Sequence, residues 1–305
     1  MISYSPIDRQ SHIRQSTSTI KQYASSENCL NLLWHKNQLI IRENENLYFS
    51  TQELEKMSVT LSTSIYLGEH RQNNYFAYHL DNWDSGFKDL RLVDLRSASL
   101  MATDYHLGLL FYSKGLLNWH HNHQYCAKCG SETSITQSGH ARKCANSKCA
   151  KEHFPRIEPA VITAISNNQD SEAKLLLARQ SEWPEKRYSV IAGFAEPGES
   201  LEAAVKREAL EEVGLVIDKV DYFASQPWPF PSSLMVGFKS VTSQTEITLI
   251  DQELEKAQWF TAKEIESEIK SGNLLMPYSV SISWYLIDDW FKQQTGYSLR
   301  DIEKD

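Results

Sequence analysis

The sequence has no apolar run near the roughly 18–20 residues of a membrane-spanning helix, and no charged-then-apolar leader opens it. A soluble protein of the cytoplasm is expected, with no membrane partner. Positive charge is not in excess either: 31 Lys and Arg face 39 Asp and Glu, for a net charge of −8, and the basic residues are scattered. Sequence-independent grip on a nucleic-acid backbone needs a basic face. The composition gives that class no support, while leaving room for a local phosphate pocket. No internal repeat is visible in the sequence. Cysteine is scarce and odd in number, five in all, with four inside residues 126–149. Odd count, clustering and the missing leader argue for metal over disulfides. Cys29 stands apart and reads as a small buried hydrophobe.

What is present suits ordinary packed cores: 305 residues and 41% hydrophobic composition leave room for two domains. Residues 1–20 are polar and rich in Ser and Thr, a loose end by composition. From about residue 28 the text turns β-like in "CLNLLW", "QLIIRE", "NLYFS", "VTLSTSIYLGEH" and "NYFAYHL". "MATDYHLGLLFYSKGLLNWHHNH" then reads as one helix, with Asp104 as its cap. Beyond the cysteines, "PAVITAIS", "AKLLLARQ" and "YSVIAGF" are short β-rich runs. "ESLEAAVKREALEEVG" is a helix, with Ser200 as N-cap and Gly214 just past its end. "TAKEIESEIKSG" carries a capping box at Thr261 and Glu264, and "VSISWYLIDDWFKQQTG" is a closing amphipathic helix. The chain thus reads as α+β: a β-rich N-terminal domain ending in a helix (1–125), a small metal module (126–153), a second mixed domain (154–296) and a tail (297–305).

The module is Cys126-x2-Cys129, fourteen residues, then Cys144-x4-Cys149. Four thiolates in two pairs suit tetrahedral Zn²⁺, and a full ligand set leaves no open position for chemistry, so this zinc holds structure. His120, His121 and His123 precede it. Adjacent histidines at a helix end are expected to be solvated or capping rather than a second metal site.

The helix poses a different problem. Glu208, Glu211 and Glu212 lie at i, i+3 and i+4 and so share a face, which opens with apolar Leu201, Ala204 and Val205. Two carboxylates about 5–6 Å apart repel by roughly 3 kcal/mol at an effective dielectric near 20. A half-buried face therefore needs a partner of opposite charge, and Mg²⁺ or Mn²⁺ is what clustered carboxylates hold best. Arg207 lies beside this face, and a Glu199–Arg207 pair would brace the preceding loop to the helix.

"GFAEPGESLEAAVKREALEEVGL" fits G-x5-E-x7-R-E-U-x-E-E-x-G-U, with U a bulky aliphatic, through Gly193, Glu199, Arg207, Glu208, Glu211, Glu212, Gly214 and Leu215. It resembles the signature of the Nudix hydrolases. Ala209 departs from a bulky aliphatic, which is a packing change. The resemblance implies an α/β/α sandwich with a mixed sheet and divalent ions that neutralise a pyrophosphate and activate water against it. It puts Glu208 and Glu212 on metal with the Ala192 carbonyl, and Glu211 as ligand or base. "SQPWPFPSSLM", where prolines interleave Trp228 and Phe230, offers a stiff platform with flat faces for a ring. At this distance after the helix it looks like the array of the NADH pyrophosphatase branch, which also carries a four-cysteine zinc ribbon. The likeness runs from about residue 90 to 290.

The resemblance implies hydrolysis of NADH or NAD⁺ to nicotinamide mononucleotide and AMP, a homodimer, and NAD-capped RNA as a second substrate. Carried over by position, Gln226, Pro227, Trp228, Pro229, Phe230, Pro231, Ser232 and Ser233 would line the dinucleotide site. Glu253 would be an acidic metal-associated residue, Arg96 would contact substrate, and Phe154 and Phe194 would stack. Two departures bear on affinity: Gly139 stands where some members have an acidic residue, and Ser283 where a small apolar residue touches substrate through its backbone. The competing readings are ADP-ribose or a flavin dinucleotide as main substrate, and a non-catalytic nucleotide-sensing module. The second is disfavoured by the full set of acidic positions. Residues 1–90 are expected to lack chemistry of their own.

Overall fold

The computed structural model describes residues 7–57, 61–83, 89–102, 104–250 and 253–302, leaving aside the side chains of Leu61, Ser62 and Asp104. The chain divides into two compact units, one from Ile157 to Trp228 and from Ser233 onward, the other comprising the residues up to Arg156 with Pro229–Ser232.

The N-terminal unit is built on a five-stranded sheet of β1 (Cys29–His35), β2 (Gln38–Arg42), β3 (Leu61–His70), β4 (Asn73–Leu80) and β5 (Leu90–Asp94), in the order β3-β4-β1-β2-β5. Only β1 and β4 run parallel. Residues expected to be a loose end are instead tied down where described. Asp8 bridges to Glu69, and helix α1 (Thr17–Ala24) sets Ile20 and Tyr23 against buried Cys29, Tyr66 and Phe76. A short apolar stripe thus overrides a polar composition.

"NLYFS", expected as a strand, makes a single bridge from Phe49 to Asn31 and leads into helix α2 (Thr51–Met57). Its start is fixed by a capping box: Glu53 N–H donates to Ser50 Oγ (3.3 Å), and Ser50 N–H donates to the Glu53 carboxylate (2.7 Å). The helix expected over residues 101–123 is present as α4 (Asp104–Asn122), and a separate helix that the spacing does not announce, α3 (Leu95–Met101), precedes it. Asp94 caps α3 by accepting from Ser97 N–H, a local signal that hydrophobic spacing alone does not carry. Asp104, expected as a cap, opens α4, and its side chain lies outside the described residues. Strands β6 (Thr133–Thr136), β7 (Ala141–Cys144) and β8 (Glu152–His153) form the small antiparallel ribbon.

The second unit is a mixed sheet of β9 (Glu158–Asn167), β10 (Lys174–Arg179), β12 (Lys219–Trp228), β13 (Ser233–Val241) and β14 (Lys256–Thr261), ordered β12-β13-β9-β10-β14, with β11 (Ile191–Phe194) beside β9. Alternation along β10 explains its two covers. Leu175 and Leu177 face α6 (Ala262–Lys270), α7 (Ile282–Thr295) and α8 (Leu299–Ile302) in one core, while Leu176 and Ala178 face α5 (Leu201–Val213) in another. This is the α/β/α sandwich. The tail expected from residue 297 holds α8, with Leu299 and Ile302 buried.

The sheets of the two units have the same strand order and directions. Parallel β1 and β4 stand where parallel β9 and β13 stand, and helices follow the last strand of each, α3 and α4 in one unit and α6, α7 and α8 in the other. The expectation of no internal repeat is therefore overturned at the level of topology. Between the second and third matching strands in chain order, β10 and β12, the C-terminal unit inserts β11 and the thirteen-residue α5, where the described residues between β2 and β3 hold the seven-residue α2.

Candidate active site

Helix α5 starts where Ser200 Oγ accepts from Ala203 N–H (3.2 Å) and stops where Gly214 takes a left-handed φ of 70°. Ala204, Val205, Ala209 and Val213 are buried against the sheet. The three carboxylates are not equally inward. Glu212 is buried at 3% exposure and Glu208 is largely covered, but the Glu211 side chain is 53% exposed. Only the first two extend the apolar stripe.

Arg207 is the countercharge within the chain. Its Nε and Nη2 form a fork on Glu199 (3.2 and 2.7 Å), its Nη1 reaches both Glu208 and Glu211 at 2.9 Å, and its Nη2 also donates to the Phe194 carbonyl (2.8 Å). One guanidinium thus ties β11, the following loop and α5 together, as planar forked donors do best. Glu199 also accepts from Glu196 N–H (2.6 Å) and closes the loop on itself. Its carboxyl is held below the usual range, first by the Arg207 hydrogen bonds. Burial pushes the Glu208 carboxyl up, the charges of Glu211 and Glu253 add to this, and Arg207 opposes it. The sequence anticipates the Arg207–Glu199 contact but not the reach to the other two glutamates.

Gly193 on β11 is cut to fit Glu208. A Cβ there would lie 2.0 Å from the Glu208 carboxyl carbon and from one of its oxygens. The carboxylate therefore rests against bare backbone, one residue from Ala192. Buried Glu212 and half-buried Glu208 offer oxygen donors only, the chemistry that suits a hard divalent ion.

Glu212 and Ala192 also line a cavity of about 250 Å³. Trp228, Gln226 and Ser283 line it too, so residues spread from 192 to 283 in the sequence converge on one space. The Gln226 side chain is held at both ends: Nε2 donates to the Val280 carbonyl (2.7 Å) and Oε1 accepts from Ile282 N–H (2.6 Å). Trp183, Met235 and Leu254 add apolar walls that the sequence reading misses, because single apolar residues in loops and strands carry no spacing signal.

The remaining predicted residues lie elsewhere. Pro227 and Phe194 are exposed, and Ser233 is buried at the start of β13, paired with Trp228. Pro229, Phe230, Pro231 and Ser232 belong to the N-terminal unit, where the Arg96 guanidinium lies 5.1 Å over the Phe230 ring and Asn118 donates to the Pro231 carbonyl (3.0 Å). Phe154 is 56% exposed in that unit. Gly139 has a φ of 96°, and a Cβ there would come within 2.9 Å of Ile65, so the position leaves no room for an acidic side chain.

The four ribbon sulfurs lie within 4.8 Å of one another, with Cys126–Cys149 at 3.8 Å and Cys129–Cys144 at 3.4 Å. These separations exceed an S–S bond of about 2.05 Å and match the edge of roughly 3.8 Å that a tetrahedron of Zn–S bonds near 2.3 Å requires. His153 Nε2 sits 3.2 Å from the Cys126 sulfur and can orient it. The cluster is a zinc site. Among the described residues it is the one group of His, Cys, Asp or Glu whose ligand atoms converge in this way. His120 is not solvated, as its sequence context suggests, but buried, between the Gly139 carbonyl (2.8 Å) and Arg142 (3.1 Å). His123 bonds the Trp119 carbonyl. Among the described residues, no helix is long and apolar enough to cross a membrane.

Comparison with known proteins accords with this division. Residues 156–277 match the NUDIX domain, residues 28–119 the NADH pyrophosphatase-like rudimentary NUDIX domain, and residues 121–154 the NADH pyrophosphatase zinc ribbon domain. The chain is 40% identical over 207 residues to a protein of Mycobacterium bovis named NAD-capped RNA hydrolase NudC, covering 65% of this chain and 64% of that one. It is 38% identical over 221 residues to the mouse (Mus musculus) mitochondrial NAD(P)H pyrophosphatase NUDT13, covering 68% and 61%. To the chloroplastic Nudix hydrolase 19 of Arabidopsis thaliana it is 34% identical over 223 residues, covering 67% and 50%. The chain thus spans less than two thirds of the length of these relatives. With a signature helix on a mixed sandwich, a four-cysteine ribbon and a second, reduced sheet of the same topology, the chain belongs to the Nudix hydrolase superfamily, in its NADH pyrophosphatase branch.

Proposed function

We propose that the chain hydrolyses the pyrophosphate bond of NADH or NAD⁺, giving nicotinamide mononucleotide and AMP, and that it removes NAD from the 5′ ends of capped RNA through the same site. The observation that carries this reading is that buried Glu212 and Trp228 line one cavity, bringing a carboxylate suited to a metal and a flat ring suited to a base or nicotinamide to the same space. The names of the mycobacterial and mouse relatives support it.

Glu208, Glu212 and the Ala192 carbonyl would hold Mg²⁺ or Mn²⁺, with Glu253 near them. Such an ion, when bound, neutralises the bridging phosphates and makes water a better nucleophile. Arg207 holds Glu208 and Glu211 in place and anchors the loop through Glu199. Glu211, the most exposed of the three, either completes the ligand set or takes the proton from the attacking water. Trp228 stacks on a ring, and the clasped Gln226 amide holds the mouth of α7 beside it. The proline-rich turn, Arg96, Phe154 and Phe194 are substrate contacts supported by the resemblance alone, as are a homodimeric state and a cytoplasmic location.

The test is a substrate panel at equal concentration: NADH, NAD⁺, NAD-capped RNA, ADP-ribose and flavin adenine dinucleotide, each with Mg²⁺ and with Mn²⁺. Highest kcat/KM for a nicotinamide dinucleotide, free or on RNA, is expected. A preference for ADP-ribose or the flavin would overturn the substrate assignment, and binding without turnover of any compound would make the chain a sensor.

A further inference from the structure

The mouth of α7 contains a pair of serines whose protons can be located by elimination. Ser281 Oγ donates to the Tyr278 carbonyl (2.7 Å), and a carbonyl can only accept. The same oxygen caps α7 by accepting from Trp284 N–H (3.4 Å). Ser283 Oγ lies 2.9 Å from it. With the one proton of Ser281 already committed, the Ser283 hydroxyl must be the donor in this pair. Ser283 therefore has no proton left for a ligand, only lone pairs.

Both serines line the cavity that holds Glu212 and Trp228, and both are more than nine-tenths buried, at 8% and 6% exposure. The surroundings do not soften this preference. Gln226 cannot turn its amide, because Val280 needs the N–H end and Ile282 needs the oxygen. Two N–H groups in the first turn of α7, which would otherwise favour an anion, are already bonded, Ile282 to Gln226 and Trp284 to Ser281.

We infer that Ser283 is a specificity-determining acceptor: it selects a ring bearing an N–H donor, an amine or a carboxamide, against the same ring bearing an oxo group or a carboxylate. This rests on the proposed entry of one nucleotide ring into the cavity. The donor chemistry fits either end of the dinucleotide, the exocyclic amine of adenine or the carboxamide of nicotinamide. A site built to bond one polar group rejects an analogue that lacks it, because its own buried group is left unpaired.

The experiment reads binding, separately from turnover. Dissociation constants of AMP and inosine monophosphate, and of nicotinamide mononucleotide and nicotinic acid mononucleotide, are measured by calorimetry on the wild-type chain, Ser283→Ala and Ser281→Ala. One pair should show a preference of about tenfold or more for the N–H-bearing member in the wild type, and that pair identifies the ring. Ser283→Ala, which places a good helix former in the first turn, should bring the ratio near one. Ser281→Ala should narrow it too, because it frees the Ser283 proton to donate. Ratios equal in the wild type and both variants, or no measurable binding of either pair, would overturn the inference. Discrimination that holds while the wild type fails to hydrolyse NADH would overturn only the proposed reaction.

Discussion

Replacing Gly193 by Ala perturbs the site with little effect on the rest of the fold. The residue lies in β11 without a left-handed φ, so the backbone accepts a side chain, and the three atoms nearest the added methyl are those of the Glu208 carboxyl, at 2.0–2.4 Å. To reach an ordinary contact of 3.4 Å the carboxyl must retreat by about 1.4 Å. Glu208 is long and flexible, so this costs less than about 1 kcal/mol, and the melting temperature should move by only a few degrees. Metal coordination is far less forgiving. Mg²⁺ accepts oxygen ligands within about 0.2 Å of an ideal near 2.1 Å, so a carboxylate displaced this far ceases to be a ligand. Disturbing a residue that merely orients a ligand costs about 10–100-fold in affinity, and losing the ligand should cost at least about 100-fold, or roughly 2.7 kcal/mol. The assay is calorimetric titration of Mg²⁺ or Mn²⁺ into wild type and Gly193→Ala, with thermal melts of both. Unchanged metal affinity in a folded variant would refute the placement of the ion beside Glu208.

Three further outcomes follow from the same structure. Glu212→Gln should keep the fold, with a melting temperature within about 3 °C of wild type, and lower kcat for NADH about a thousandfold; near-normal turnover would remove Glu212 from the chemistry. Cys144→Ser should lower the bound zinc measured by atomic absorption and melt the N-terminal unit more than about 5 °C earlier, whereas a full complement of zinc in that variant would argue against the four-sulfur site. The N-terminal unit should also be acid-labile. Burial pushes His120 and His140 each down to about 4 from the ordinary 6.5, so both stay neutral when folded and take up protons on unfolding. Their contribution is intact above about pH 6.5 and declines as pH falls toward 4, by about 3 kcal/mol each. Denaturant melts between pH 7 and 4 should show this loss, and a flat profile would contradict it.

Local signals in the sequence predicted local structure well. Ser200 and Gly214 bracket α5, and Thr261 with Glu264 forms the capping box of α6. Four cysteines in two spaced pairs converge within 4.8 Å. Where hydrophobic spacing announced no element, a capping signal still placed one: Ser50 with Glu53 opens α2 just past the strand-like run "NLYFS", and Asp94 with Ser97 opens α3.

Long-range features were less legible. The repeated strand order was not visible in the sequence, because a sheet direction is specified by burial and turn geometry, which many sequences satisfy. The acidic spacing implies a charge problem but not how the chain handles it. Arg207, one residue from Glu208, reaches three glutamates and a carbonyl, and that depends on how β11 and its loop lie against α5. The proton inventory of Ser281 and Ser283 could be read only once Tyr278 and Trp284 had been placed around them.

The central claim concerns which bond breaks. NADH incubated with the chain and Mg²⁺ in water enriched in oxygen-18, with products separated and weighed by mass spectrometry, tests it directly. The account predicts AMP and reduced nicotinamide mononucleotide, with one heavy oxygen on a phosphate of one of them. Free nicotinamide with an ADP-ribose partner, or label on a ribose carbon, would mean cleavage of the glycosidic bond and would contradict it.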